Sequence, residues 1–167
     1  MAETRGLLII DLQYGFSPDL DLVESVRDVA TNYPVVVATR FAPPPDQNPV
    51  AIQVAADGVI DVGHDLIIER PGYGLNAPAI DALQSFSEIT EWDLVGSRTG
   101  VCLLACAFSL SDASIPFHWS GPFAYWKSKN RILCPDQIFR RHESGPDSLL
   151  QSNRTGEAPG RDSVGPN

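Results

Sequence analysis

Three residues of this 167-residue chain could together run covalent chemistry on a carbonyl: Cys102, Asp11 and Arg70. A thiolate attacks a carbonyl carbon. A carboxylate within hydrogen-bond reach can first take the thiol proton and later return it to a leaving amine. A guanidinium nearby favours thiolate over thiol. Cys102 falls two residues into the helical stretch Gly100 to Leu110 (GVCLLACAFSL), where unpaired backbone N–H groups and the positive end of the helix dipole push the same way. The backbone N–H groups between Arg98 and Cys102 are placed to stabilise the oxyanion of a tetrahedral intermediate. Taken singly, each of these residue types is more often structural: a helical Cys packs in a core, an Asp ends a strand, an Arg faces solvent. Their joint position makes them a candidate site.

That position depends on the elements before each of them. Leu7 to Ile10 is apolar throughout, as a central strand buried on both faces should be, and Asp11 ends it. Asp19 to Tyr33 carries a helical stripe of Leu20, Leu22, Val23, Val26 and Val29, and Val35 to Ala38 reads as the second strand. The four prolines of FAPPPDQNP exclude regular structure between Phe41 and Pro49, and Val50 to Ala56 suits a short helix. A third strand, Asp65 to Ile68, leads into the turn Arg70-Pro71-Gly72-Tyr73-Gly74, and Ala77 to Phe86 reads as a helix. Trp92 to Gly96 is the fourth strand, Ile115 to Trp119 the fifth, and 131–133 with 137–139 a weak sixth. Strands alternating with helices predict an α/β fold, a Rossmann-like parallel sheet of five to six strands covered by helices on both faces. In such a sheet ligands bind at the carboxyl edge, where strand order reverses. Asp11, Arg70 and Cys102 all follow predicted strands onto that edge.

The chain resembles the isochorismatase-like cysteine hydrolases, which include nicotinamidases and N-carbamoyl amidases. The resemblance runs through LLIIDLQYGF (Leu7 to Phe16), VVVATRF (Val35 to Phe41), IIERPGYGLN (Ile67 to Asn76) and VGSRTGVCLLACAFSLSD (Val95 to Asp112). It implies an Asp, Lys and Cys triad. Asp11 matches the Asp of a strand-IDxQxxF segment, Cys102 the Cys of a GxxTDxCV segment, and Arg70 falls on the Lys of a VIxKxxYSAF segment. It also implies an oxyanion site on the backbone N–H groups of Arg98 and Cys102, with a cis peptide near Ser97 and Arg98, and a homo-oligomer. The expected reaction is hydrolysis of a C–N bond in a small amide, carbamoyl or imide compound through a thioester. Phe16, Phe41 and Tyr73 follow strands and could line the substrate pocket.

Departures from the family pattern bear on chemistry. Arg at 70 keeps a fixed charge but cannot shuttle a proton. Gly100 replaces an Asp, and YGLN at Tyr73 to Asn76 replaces YSAF. The Asp-x-His metal motif of nicotinamidases has no counterpart after the second strand, so neither a metal, nor a cofactor, nor nicotinamide as substrate is expected. The alternative is a degenerate member that keeps the pocket without turnover and acts as a small-molecule binding or interaction protein. A lyase or vinyl-ether hydrolase is a third class, one that does not need the cysteine.

Composition bounds the rest. Lys plus Arg is 12 and Asp plus Glu is 21, a formal charge of −9, which argues against a nucleic-acid or anionic-membrane partner; a small-molecule substrate is what the resemblance implies. No apolar run approaches the roughly 20 residues of a membrane span, and no secretory leader opens the chain, so a cytoplasmic protein is expected. Three cysteines without CxxC spacing suggest neither a disulfide framework nor a zinc knuckle. The hydrolase domain is expected over 1–143, shortened near its end, because residues 144–167 read as a disordered tail rich in Gly, Pro and Ser.

Overall fold

The computed structural model describes residues 4–16, 18, 20–44, 58–96 and 100–119. Among them are five strands, β1 (Arg5–Ile10), β2 (Val36–Phe41), β3 (Leu66–Arg70), β4 (Glu91–Gly96) and β5 (Phe117–Trp119). Three α-helices accompany them, α1 (Leu20–Ala30), α2 (Ala77–Gln84) and α3 (Gly100–Asp112), with a short 3-10 turn at Tyr14–Phe16. The strands form one sheet in the order β3-β2-β1-β4-β5. Every pairing is parallel. The α/β fold with a five-stranded parallel sheet is therefore as the sequence predicts. The suggested helix at 50–56, the sixth strand, the shortened end and the tail lie outside the described residues.

The chain steps outward from β1 to β2 to β3, then returns to the other side of β1 for β4 and β5. Parallel crossovers are right-handed, so a reversal of direction moves the connecting helices to the opposite face. Side chains agree. Val23, Val26 and Ala30 of α1 pack with Leu7, Ile9, Val36, Ala38 and Val95 on one face. The next residue along β4, Gly96, points to the other face, where a Cβ would come within 3.3 Å of Leu103 of α3. Leu7 to Ile10 are each at most 1% exposed, which is why β1 is apolar at every position.

Local chemistry sets the helix ends. Asp21 in the first turn of α1 and Arg27 in its last complement the helix dipole. Thr31 Oγ1 donates to the carbonyl of Asp28 (2.7 Å) and the chain leaves the helix before Pro34. Asn76 caps α2, its side chain accepting from the Ala79 N–H at 3.2 Å.

Two strands run further than apolar character alone suggests. β2 continues to Phe41 and β3 to Arg70, with Arg40 paired opposite Glu69 and Phe41 opposite Arg70. An Arg40–Glu69 ion pair of 2.7 Å carries the ladder through these polar positions. Arg70 is thus the last residue of a strand, not the first of a turn. β5 conversely starts at Phe117, because the Ile115 N–H still bonds back to Leu110 of α3 (2.9 Å) and Pro116 has no N–H to give.

Candidate active site

Strand order reverses between β1 and β4, and their carboxyl ends are level, Ile10 lying opposite Gly96. Asp11 is the next residue after β1. It adopts a positive φ of 52°, a left-handed conformation that Asp tolerates better than most side chains. The turn takes Asp11 out of the ladder. Its N–H bonds to the Thr39 hydroxyl (3.1 Å), and the same hydroxyl donates to Asp11 Oδ1 at 2.8 Å.

Arg70 arrives from β3 and donates through Nη2 to Asp11 Oδ2. Both side chains are buried, Arg70 at 0% and Asp11 at 1% exposure, so this is a desolvated ion pair. Nη1 of Arg70 donates to three successive carbonyls, Gly72 (3.0 Å), Tyr73 and Gly74 (3.2 Å). The guanidinium therefore joins the carboxylate at the end of β1 to the turn after β3. Its Nε is buried without a hydrogen-bond partner. Burial alone would lower the pKa of Arg70, but the Asp11 carboxylate, then the Cys106 sulfur, then the hydrogen bond to Asp11 and the Cys102 sulfur outweigh it and raise it. A permanent positive charge results.

Cys102 lies in the first turn of α3, where the dipole argument requires it, and is 2% exposed. Residues 97–99, including Arg98 of the expected oxyanion site and the peptide expected to be cis, lie outside the described residues. One turn further along α3 is Cys106, fully buried, its thiol donating to the carbonyl of Tyr73 at 3.5 Å. Burial pushes the Cys106 pKa up to about 12; Arg70 opposes this, whereas Asp11 and Cys102 add to it. Cys106 is a neutral thiol beside the charged pair.

The turn after β3 is held against α3 at further points. Ser109 Oγ accepts from the Leu75 N–H (3.0 Å) and donates to the Ala105 carbonyl (2.9 Å). Gly74 suits this place because a Cβ would sit 2.6 Å from Ser109 Oγ. The aromatic residues singled out from sequence adjoin one another. Phe41 and Tyr73 stack at 5.6 Å between ring centroids, Phe16 and Phe41 lie at 6.3 Å, and the Arg70 guanidinium carbon is 5.9 Å from the Phe41 centroid. Tyr73 is 50% exposed and Phe41 buried, so the rings lead from solvent to the cation.

The fold has counterparts among solved structures. N-carbamoylsarcosine amidase from Thermoplasma acidophilum superposes with a TM-score of 0.65 at 15% identity, covering 84% of this chain and 93% of that one. The fold is that of the isochorismatase-like hydrolases. An isochorismatase-like hydrolase from Alkaliphilus metalliredigens matches at 0.62 and 13% identity over 89% of this chain and 91% of its own. A pyrazinamidase of Pyrococcus horikoshii, solved in complex with zinc, matches at 0.64 and 15% over 84% and 94%. No protein-family model and no curated protein sequence matches the chain. Among the described residues, no group of three or more His, Cys, Asp and Glu side chains could hold a metal ion. The described residues at the end of β2 and after it are Phe41, Ala42, Pro43 and Pro44, which carry no metal-binding side chain.

Three residues of the site escaped sequence reasoning. Cys106 was visible as an i, i+4 partner of Cys102, a spacing that puts both on one helix face. Thr39 was visible as the one hydroxyl in the apolar run VVVATRF. Gln13, 0% exposed, clamps Phe41 from both sides, accepting from its N–H at 2.6 Å and donating to its carbonyl at 3.3 Å. Gln13 stands at the Gln of the IDxQxxF segment, but its partner 28 residues away is not marked in the local sequence.

Proposed function

We propose that the protein is a divergent cysteine hydrolase that cleaves a C–N bond of a small amide, carbamoyl or imide substrate. The observation that carries this reading is the buried Asp11–Arg70 pair beside Cys102, at the reversal point of an isochorismatase-like sheet. Cys102 attacks the carbonyl carbon, and its thiol proton passes to Asp11. Collapse of the tetrahedral intermediate breaks the C–N bond as Asp11 returns the proton to the leaving nitrogen, giving a thioester and ammonia or an amine. Water then adds to the thioester carbon and the Cys102–carbonyl bond breaks, releasing an acid and restoring the thiol. Arg70 keeps its proton throughout and supplies charge. Backbone N–H groups of Arg98 and Cys102 receive the oxyanion in this scheme. Phe16, Phe41 and Tyr73 form the wall for a small planar or apolar group.

The reading includes a cytoplasmic homo-oligomer with a small-molecule substrate and no nucleic-acid or membrane partner. The charge of −9 disfavours a nucleic-acid or anionic-membrane partner, and among the described residues no helix is long and apolar enough to cross a membrane. A second reading is a pocket without turnover. It is favoured by the 2% exposure of Cys102 and by the three loop carbonyls that occupy Arg70 Nη1.

One experiment separates the two. Small primary amides are screened for ammonia release, and the protein is treated with iodoacetamide across a pH series with the adduct located by mass spectrometry. The hydrolase reading expects Cys102 to be alkylated well below the ordinary thiol pKa of about 8.5. Reactivity of Cys102 no greater than that of an ordinary thiol would remove the activated nucleophile and leave the binding reading.

A further inference from the structure

We infer that Thr39 is a positioning residue for the proposed reaction, fixing the carboxylate of Asp11 through a two-point contact; the inference rests on the hydrolase reading above. A threonine hydroxyl carries one proton and two acceptor lone pairs. Here one lone pair takes the Asp11 N–H (3.1 Å), which leaves the single proton for Asp11 Oδ1 (2.8 Å). One side chain therefore holds both the backbone of Asp11, at its positive φ of 52°, and the acid at the end of its side chain.

The second carboxylate oxygen is taken by Arg70 Nη2. Donors from two different strands, β2 and β3, thus grip the two oxygens of a group at the end of a third, β1. That fixes the plane of the carboxylate and leaves for a thiol proton only the lone pairs that neither donor occupies. Thr39 is itself fully buried, and a β-branched residue on a strand has little χ1 freedom, so the hydroxyl cannot swing away. Among the described residues, the other side chain that hydrogen-bonds to the Asp11 carboxylate is the charged Arg70, which reaches Oδ2 and not Oδ1. Without the hydroxyl, the carboxylate could pivot about its Arg70 contact, and proton transfer from Cys102 would lose its alignment. Thr39 touches none of the reacting atoms in this scheme and acts through Asp11.

The test compares wild type with Thr39→Val, which keeps the shape and removes the hydroxyl, and Thr39→Ser, which keeps the hydroxyl. Circular dichroism confirms folding, and iodoacetamide labelling of Cys102 is followed against pH. Thr39→Val is expected to raise the pH of half-maximal alkylation by about one unit, toward that of an ordinary thiol, and Thr39→Ser to restore the wild-type profile. On any amide that the wild type hydrolyses, Thr39→Val lowers kcat at least tenfold and leaves KM within a factor of about three. An ordinary Cys102 in the wild type would sink the hydrolase reading itself. An activated Cys102 whose profile Thr39→Val leaves in place would sink only the role of Thr39, as would a Ser variant shifted as far as Val. Should Thr39→Val not fold, Thr39→Ala takes its place; if neither folds while Thr39→Ser does, the hydroxyl is structural and the inference is overturned.

Discussion

Arg70 shows how residue type decides what a buried position can hold together. A lysine has one nitrogen with three donors, whereas the guanidinium reaches Asp11 with Nη2 and three loop carbonyls with Nη1. Arg70→Ala leaves Asp11 buried and unpaired and is expected to cost about 3–5 kcal/mol in urea unfolding. Arg70→Lys keeps one partner and is expected to cost less, about 1–3 kcal/mol, chiefly through unsatisfied carbonyls. Equal losses for the two variants would show that the charge pair contributes nothing beyond the loop contacts. The sequence made Arg70, Asp11 and Cys102 legible because each stands after an apolar run. It could not show that Asp11 turns left-handed, since the hydroxyl that holds its N–H lies 28 residues away on β2. Cys106 was equally hidden in function, because its character depends on Arg70 and on the Tyr73 carbonyl from a different element.

At the level of elements, hydrophobic pattern located each strand and helix of the described sheet but misplaced several ends. β2 and β3 extend through Arg40 and Glu69 because charge pairing across the ladder replaces apolar burial, a long-range effect invisible in either strand alone. α1 ends at Ala30, short of the apolar pattern's reach, where side chains of Thr31 and Asn32 bond back to its last carbonyls. Packing between β1 and β4 is similarly specific. Gly6 stands opposite Trp92, whose ring would lie 2.6 Å from a Cβ at that position, and Trp92 is 2% exposed. The ring also meets Phe86 edge-on at 5.9 Å, so it has little room to retreat. Gly6→Ala is expected to destabilise the fold by about 1–3 kcal/mol, read as a lower denaturant midpoint with unchanged slope. A midpoint at or above that of the wild type would mean that the indole moves freely.

Among the described residues of the molecule, two buried or partly buried acids hold their protons into alkali. The Cys106 pKa is raised from 9.0 to about 12 by burial, and that of Tyr33 is also raised by burial and by its 2.6 Å hydrogen bond to Asp93. Raised folded-state values mean that the folded chain holds protons which the unfolded chain releases first. The associated stability is complete below pH 9 and is lost as pH climbs toward 12. Melting temperature is therefore expected to fall steeply above pH 9, and Cys106→Ala to flatten that fall relative to its own value at pH 7. Parallel curves for the two proteins would count against a buried neutral thiol. Tyr33, Asp93 and Arg5 lie about a cleft of roughly 490 Å3 on the edge opposite the proposed site. The grip of Arg70 on Gly72, Tyr73 and Gly74 has a consequence for motion. The turn after β3 cannot lift without stripping donors from its carbonyls and uncovering the cation that balances Asp11. Opening of that turn and exposure of the ion pair are therefore coupled, and the turn is expected to open as a unit rather than residue by residue.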